Sequence, residues 1–208
     1  MFRLYIFDWS GTVSDDRRPV YEANMRVLQA YGKPVMPFGK WLAMSAASAV
    51  EFMKSRGVTA AASELFDLYR THYALIKQSG LPPQVYPDAV AIFEALHQRG
   101  KSTAVVSTHP EEEIREEAAR YGITPGLIRG NLAEKAAALK EVMQYFGCTR
   151  AETIFIGDTI YDIRAAKEAS IRSGAVGCGY HSAQALQREA PDYFGHTLTD
   201  VIRGIEAL

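Results

Sequence analysis

The sequence alternates short apolar runs with longer segments of helical periodicity, and this alternation limits the folds open to the chain. The apolar runs lie at residues 3–7, 103–106, 153–156 and 173–176, and each has the length of a buried strand. Helical patterns that end at Gly100 and Gly147 lie between them. Strands that alternate with helices form a parallel sheet with right-handed crossovers, so the sequence predicts the doubly wound α/β class.

One stretch interrupts this alternation. Between about residues 16 and 81, three helical stripes follow one another without a convincing strand. The stripes lie at residues 20–31, 41–53 and 65–76. We therefore expect an inserted all-helical domain at 15–82 and a core formed by 1–14 and 83–208.

Composition and charge exclude several classes of function. The 208 residues include 23 Lys and Arg against 24 Asp and Glu, which gives a formal net charge of −1. This balance removes the electrostatic argument for nucleic acid or an anionic membrane as a partner. Residues 42–50, the longest nearly apolar stretch, are too short for a membrane span, and no signal segment opens the sequence. We therefore expect a cytoplasmic protein.

Polar side chains suited to chemistry follow the predicted strands. Asp8 follows the first strand, Ser107 the second, and Asp158 and Asp162 the third, while Lys135 opens the helix between the last two of these strands. The carboxyl ends of parallel strands lie at one edge of the sheet, so these groups should converge. Clustered carboxylates raise one another's pKa, and a bound hard cation such as Mg²⁺ resolves the conflict. The set therefore indicates Mg²⁺ plus an anion held by the hydroxyl and the ammonium.

Each of these residues also has a plain structural explanation when it is taken alone. Asp8 could be a turn carboxylate, Ser107 an N-cap for a helix at 110–121, and Lys135 a solvated surface lysine. The two cysteines, Cys148 and Cys178, form neither a disulfide framework nor a zinc knuckle. These residues therefore indicate a particular function only when they are taken together, in their order along the chain.

That ordered set resembles the four motifs of the haloacid dehalogenase (HAD) superfamily. The matching positions are residues 8–13, Ser107, Lys135 and residues 157–162, and the resemblance spans nearly the whole chain. It implies a Rossmann-like three-layer core with a parallel sheet, and it identifies the helical insertion as a small type-one cap. Within the superfamily, the chain resembles the phosphoglycolate phosphatase and phosphonatase-like branch.

The resemblance also implies roles for individual residues. Asp8 would be the nucleophile that forms an aspartyl intermediate, with Ser107 and Lys135 neutralising charge on the transferring group. Mg²⁺ would be held by Asp8, the backbone carbonyl of Ser10 and Asp158, with support from Asp162. The expected substrate contacts are Gly11, Thr12, Thr108, His109 and Lys40.

Ser10 departs from the family pattern. Family phosphatases carry a second Asp two positions after the nucleophile, where it protonates the leaving group and later activates water. A serine hydroxyl cannot do this near pH 7, and such assistance is worth about 10²–10⁴-fold in rate. The chain could still be a phosphatase, acting on substrates with good leaving groups or using His109, Asp15 or Asp16 as a substitute acid.

Other branches of the superfamily carry different residues at the position of Ser10, and they suggest other functions for this chain. Phosphonoacetaldehyde hydrolases of the superfamily carry Ala there, often within Asp-Trp-Ala-Gly-Thr, and use a cap lysine as a Schiff base, for which Lys40 is the candidate. Cation-pumping ATPases carry Thr there and keep a long-lived aspartyl phosphate, whereas the bulky Tyr of the dehalogenases fits Ser10 poorly. A non-catalytic phospho-ligand-binding protein is a further alternative.

We therefore predict a Mg²⁺-dependent hydrolase that acts on a small phosphorylated metabolite, with a phosphonatase-like C–P hydrolase second. Catalytic roles fall to Asp8, Ser10, Ser107 and Lys135. The cap would choose the substrate through Lys40, Trp41, Met44 and Ser45. We expect a monomer or a homodimer.

Overall fold

The computed structural model describes residues 2–44 and 48–207, and the chain divides into two compact units. The core unit comprises Met1–Asp15 and Val85–Leu208, and the helical unit comprises Asp16–Gln84. These boundaries differ from the expected 14/15 and 82/83 by one and two residues, respectively.

The core unit contains a sheet of six parallel strands. Its strands are β1 (Leu4–Phe7), β4 (Ser102–Val106), β5 (Leu127–Arg129), β6 (Thr153–Gly157), β7 (Arg172–Val176) and β8 (Tyr193–Gly195). Their spatial order is β5-β4-β1-β6-β7-β8, so the first strand of the chain lies between β4 and β6. Two shorter strands, β2 (Ser14–Asp15) and β3 (Gln84–Val85), pair with each other.

Helices connect the strands of the core and make up the helical unit. The core helices are α5 (Ala89–Gln98), α6 (Glu111–Arg120), α7 (Lys135–Phe146), α8 (Ile160–Ala169), α9 (Ala183–Arg188) and α10 (Leu198–Glu206). The helical unit contains α1 (Arg17–Ala30), α2 (Phe38–Leu42), α3 (Ala49–Ser55) and α4 (Ala62–Gln78). None of the helices formed by the described residues is both long and apolar enough to cross a membrane.

The central strand β1 buries both of its faces, as strands of a parallel sheet covered by helices do. Tyr5 and Phe7 lie in one apolar cluster with side chains of α5, α6 and α10. Leu4 and Ile6 point to the opposite face, where they lie in a cluster with side chains of α7 and α8. The three layers of helix, sheet and helix confirm the predicted α/β fold class.

The helical unit differs from the sequence prediction at its second stripe. The single helical stripe predicted for residues 41–53 is wrong, because two short helices, α2 and α3, form there instead. Ser48 separates them: its backbone is extended, and its hydroxyl accepts a hydrogen bond of 3.1 Å from the backbone N–H of Glu51. Ser45, predicted to line the cap, lies outside the described residues.

The first and last helices of the helical unit pack against each other. Ala23 of α1 is fully buried with Tyr73 and Ile76 of α4, and Val20 and Tyr69 border this cluster. Small residues allow close approach of the two helix backbones, and the aromatic ring fills the remaining space. The first and third predicted stripes therefore form the central contact of this unit.

We predict that Ile6→Ala lowers the free energy of unfolding by about 2–5 kcal/mol, because it opens a cavity beside the central strand. Ile6 is fully buried. Urea denaturation followed by circular dichroism measures the change. Val35→Ala, at a side chain that is 48% exposed, is the matched control and should change stability little. A loss below about 1 kcal/mol for Ile6→Ala would contradict the packing described here.

Candidate active site

The carboxylate of Asp8 lies at the carboxyl end of β1 and is only 4% exposed. The backbone N–H of Asp8 donates to the carbonyl of Ile156 on the neighbouring strand β6, at 2.8 Å. Its side chain accepts a hydrogen bond from the backbone N–H of Trp9 at 2.7 Å and contacts the Ser107 hydroxyl. The sheet therefore holds this carboxylate in a fixed, desolvated position.

Residues 9–14, which we call the nucleophile loop, turn back on themselves directly after Asp8. The carbonyl of Trp9 accepts hydrogen bonds from the backbone N–H groups of Val13 at 2.8 Å and Ser14 at 2.9 Å. Gly11 has a φ of +76°, and a Cβ atom there would lie 2.3 Å from a carboxylate oxygen of Asp158. Glycine is therefore required on conformational and on steric grounds.

A buried glutamate clamps the two ends of this loop. Glu117 on α6 is 4% exposed, and it accepts hydrogen bonds of 2.8 Å from both the indole N–H of Trp9 and the hydroxyl of Ser14. The sequence analysis did not identify Glu117, although its spacing of three residues from Ile114 places it on the buried face of α6. Its partners lie more than 100 residues away in sequence.

Two further carboxylates lie at the end of β6 and the start of α8. Asp158 is fully buried, and it accepts hydrogen bonds from the Thr12 hydroxyl at 2.8 Å and the backbone N–H of Tyr180 at 2.7 Å. Asp162 is 1% exposed and forms a capping box with Thr159, whose backbone N–H donates to one of its oxygens at 3.0 Å. The other oxygen of Asp162 is thereby left to face Lys135.

Lys135, the first residue of α7, joins two of the three carboxylates. Its Nζ atom lies 2.9 Å from Asp8 Oδ2 and 2.6 Å from Asp162 Oδ1, and its side chain is 9% exposed. The alternative explanation as a solvated surface lysine is therefore wrong. Burial by itself lowers the pKa of Lys135, but the charges of Asp162 and Asp8 outweigh it and hold the pKa above its ordinary value.

The cluster carries more negative than positive charge. Asp8, Asp158 and Asp162 each offer a carboxylate oxygen within 4.8 Å of the others, and all three side chains are buried. Burial raises the pKa of Asp8 to about 6, and Asp162 adds to this rise while Lys135 opposes it. Burial, followed by the charges of Asp8 and Asp162, raises the pKa of Asp158 well above its ordinary value. A cation bound among these oxygens would relieve the repulsion.

Ser107 lies at the end of β4, fully buried beside Asp8. Its hydroxyl accepts a hydrogen bond of 3.2 Å from the backbone N–H of His109. The alternative role as N-cap of the following helix is wrong, because α6 begins after Pro110 and, among the described residues, no side chain caps it. Thr108 is exposed, and the half-buried ring of His109 has its Nε2 atom 3.6 Å from a carboxylate oxygen of Glu113.

Ser10 pairs with a residue that the sequence analysis missed. Its hydroxyl oxygen lies 3.5 Å from the phenol oxygen of Tyr180, which follows β7 by four residues. The rule that ligands bind at the carboxyl ends of parallel strands could have directed attention to this loop. No motif in the sequence singles out this tyrosine.

The candidates from the helical insertion have different environments. Lys40 lies on α2 with an exposed side chain, so its surroundings do not supply the desolvation that a Schiff-base lysine needs. Trp41 is 7% exposed and packs with the rings of Tyr21 and Phe38, at centroid distances of 5.6 and 5.8 Å. Trp41 is therefore part of the apolar packing of the helical unit. Met44 follows α2 in a turn.

The chain is similar to known proteins over most of its length. The family model of the haloacid dehalogenase-like hydrolases matches residues 2–170. Phosphoglycolate phosphatase 1 of Pseudomonas aeruginosa is 27% identical over 220 residues, which cover 96% of this chain and 78% of that protein. A phosphoglycolate phosphatase of Vibrio parahaemolyticus is 26% identical, with 96% of this chain and 94% of that protein covered.

A solved structure supports the fold independently. A haloacid dehalogenase-like family hydrolase from Streptococcus pneumoniae superposes with a TM-score of 0.80 at 22% identity, covering 98% of each chain. At this identity the likeness concerns the fold alone. Since the family model spans most of the sequence and the ordered polar residues meet at one edge of a parallel sheet, the chain belongs to the haloacid dehalogenase-like hydrolases.

Proposed function

We propose that this protein is a Mg²⁺-dependent phosphatase of small phosphorylated metabolites and that it works through an aspartyl phosphate on Asp8. The observation that carries the proposal is the buried contact of Asp8 with both Lys135, at 2.9 Å, and Ser107. A carboxylate beside an ammonium and a hydroxyl is suited to attack a phosphoryl group whose oxygens the other two groups hold. The names of the relatives from Pseudomonas aeruginosa and Vibrio parahaemolyticus support a small phosphorylated substrate.

The donor set fits Mg²⁺. Three buried carboxylates share one ammonium, and oxygen donors are the ligands that this cation prefers. Asp8, Asp158 and the backbone carbonyl of Ser10 would hold the ion, and Asp162 would support it. When bound, Mg²⁺ neutralises negative charge on the transferring phosphoryl group and orients its oxygens.

Three side chains of the protein have the remaining roles in the proposed reaction. The Asp8 carboxylate attacks phosphorus, and the ammonium of Lys135 beside it favours its ionised form. Lys135 stays protonated, because the neighbouring carboxylates raise its pKa, and it offers positive charge to the phosphoryl oxygens. Ser107 donates its hydroxyl to the same group. Two alternatives, a hydrolase of C–P bonds and a non-catalytic protein that binds a phosphorylated ligand, remain hypotheses based on the sequence alone.

We expect Asp8→Asn to reduce phosphate release about 10⁴-fold or more, because the amide cannot act as the nucleophile. Burial and the charge of Asp162 disfavour the ionised form of Asp8, and Asp162 still pairs with Lys135, so the neutral amide should not lower the melting temperature of the metal-free protein. Malachite-green detection of phosphate released from phosphorylated metabolites with Mg²⁺ measures the effect. Asp67→Asn, the same change at an exposed position on α4, is the matched control. Full activity of Asp8→Asn would overturn the proposed nucleophile.

The pH dependence of stability tests the metal site. The pKa of Asp8 rises on folding from its ordinary 3.8 to about 6, so the folded metal-free protein binds more protons than the unfolded chain. Its free energy of unfolding should therefore fall as pH rises through this interval, and Asp158 should extend the loss to higher pH.

Mg²⁺ should restore this stability where the carboxylates are ionised. We expect the gain in melting temperature between EDTA and Mg²⁺ to be larger at about pH 7 than at about pH 5, because protons compete with the cation. Asp158→Asn should reduce the gain. An equal gain at both pH values would contradict a site formed by these carboxylates.

A further inference from the structure

We propose that His181 is a positioning residue for the carboxylates of Asp158 and Asp162, because its ring holds the chain segment that joins them. The inference rests on the proposed phosphatase function and adds a residue that determines how tightly the site binds Mg²⁺. His181 lies between β7 and α9, in residues 177–182, which we call the β7–α9 loop.

Residues 158–162 lead from β6 into α8 and carry both carboxylates. The distance between the carboxylates therefore depends on the path of the backbone that joins them. The capping box fixes part of this path. The Thr159 hydroxyl accepts from the backbone N–H of Asp162 at 3.3 Å, and the backbone N–H of Thr159 donates to the Asp162 carboxylate at 3.0 Å. The N–H of Ile160 lies in the first turn of α8, where a helix supplies no acceptor of its own.

His181 supplies the acceptor for this N–H group. The backbone N–H of Ile160 donates to Nδ1 of His181 at 3.1 Å. The side chain of His181 is buried, with 3% of the residue exposed, and its ring makes an edge-on contact with the ring of Tyr161 at a centroid distance of 5.7 Å. Because Nδ1 accepts, it carries no proton, so the neutral ring has its proton on Nε2. The contact with Ile160 therefore fixes the tautomer of the ring.

The same loop also contacts Asp158 directly. The backbone N–H of Tyr180 donates to Asp158 Oδ2 at 2.7 Å. A Cβ atom on Gly179 would overlap that oxygen, so the loop backbone lies against the carboxylate. Consecutive residues of the β7–α9 loop thus support segment 158–162 at two points, and the His181 contact lies midway between the two aspartates.

The position of this segment matters because the two carboxylates have different partners. Asp158 accepts from the Thr12 hydroxyl at 2.8 Å, whereas Asp162 pairs with Lys135 at 2.6 Å. A backbone shift at Ile160 would change the distance between the carboxylate that would bind Mg²⁺ and the one that holds the lysine. Partners that orient metal ligands without touching the metal contribute about 10–100-fold to metal affinity or activity.

The test replaces the ring of His181 by side chains with and without an acceptor at the position of Nδ1. The amide oxygen of His181→Asn can accept from Ile160 as Nδ1 does, whereas His181→Leu is apolar and has no acceptor. Isothermal titration calorimetry with Mg²⁺ alone measures binding without turnover. We expect His181→Leu to raise the dissociation constant for Mg²⁺ about 10-fold and His181→Asn to stay within about 3-fold of the wild type.

His97→Leu is the matched control. His97 is an exposed histidine of α5, and its Nε2 atom lies 2.8 Å from the hydroxyl of Thr103, the second residue of β4. The substitution removes a histidine hydrogen bond of the core unit near the amino end of a strand, whereas the carboxylates lie at the carboxyl ends. It should leave the dissociation constant for Mg²⁺ unchanged.

A measurement on the wild type tests the contact without any substitution. Nitrogen-15 NMR of the metal-free protein near neutral pH should show His181 with Nδ1 unprotonated and Nε2 protonated. A protonated Nδ1 would overturn the inference, and this result is accessible even if His181→Leu does not fold.

The outcomes distinguish this inference from the function on which it rests. Equal dissociation constants for Mg²⁺ in His181→Asn and His181→Leu would mean that the ring only fills space, and would overturn the inference. The phosphatase would still stand if the wild type releases phosphate and Asp8→Asn does not. A weaker affinity in His181→Leu alone, together with no phosphate release by the wild type, would support the positioning role and overturn the phosphatase. A wild type that binds no Mg²⁺ would overturn both.

Discussion

The buried ammonium of Lys135 is the interaction on which the candidate site depends. It lies 2.9 Å from Asp8 and 2.6 Å from Asp162, and it is the counter-charge that lets carboxylates approach one another away from water. A buried charge that loses its partner costs several kcal/mol, so this contact constrains everything joined to it. Because the three residues lie at the ends of β1, α7 and α8, the ion pairs tie the sheet to the helices on one of its faces.

The order of the strands explains why these residues meet. The first strand of the chain lies between β4 and β6, so the residues that follow these three strands share one edge of the sheet. The nucleophile candidate follows a strand that is hydrogen-bonded to a neighbour on each side, and this pairing restricts the movement of its backbone. Rigid support of this kind favours accurate positioning of a reacting group.

The sequence analysis predicted the strands and helices that a short segment of sequence determines. It missed the residues whose roles depend on contacts with distant parts of the chain. The strands at the centre of the sheet are apolar runs, and the residues at their ends could be recognised by order. The edge strands β5 and β8 have three residues each, too few for a pattern to develop. Tyr180 and Glu117 act through partners 170 and 108 residues away, and no periodicity reports such contacts. In the helical unit, α3 begins at the Ser48 cap, within the apolar stripe from which the sequence predicted a single helix.

The clamp formed by Glu117 has a kinetic consequence for how the site is assembled. Its two hydrogen bonds close chain separations of 108 and 103 residues, so both depend on long-range contacts that are costly to form early in folding. The side-chain bonds that hold the two ends of the nucleophile loop can therefore form only when α6 has docked on the sheet. A nascent chain that has completed β1 carries the nucleophile loop without this clamp.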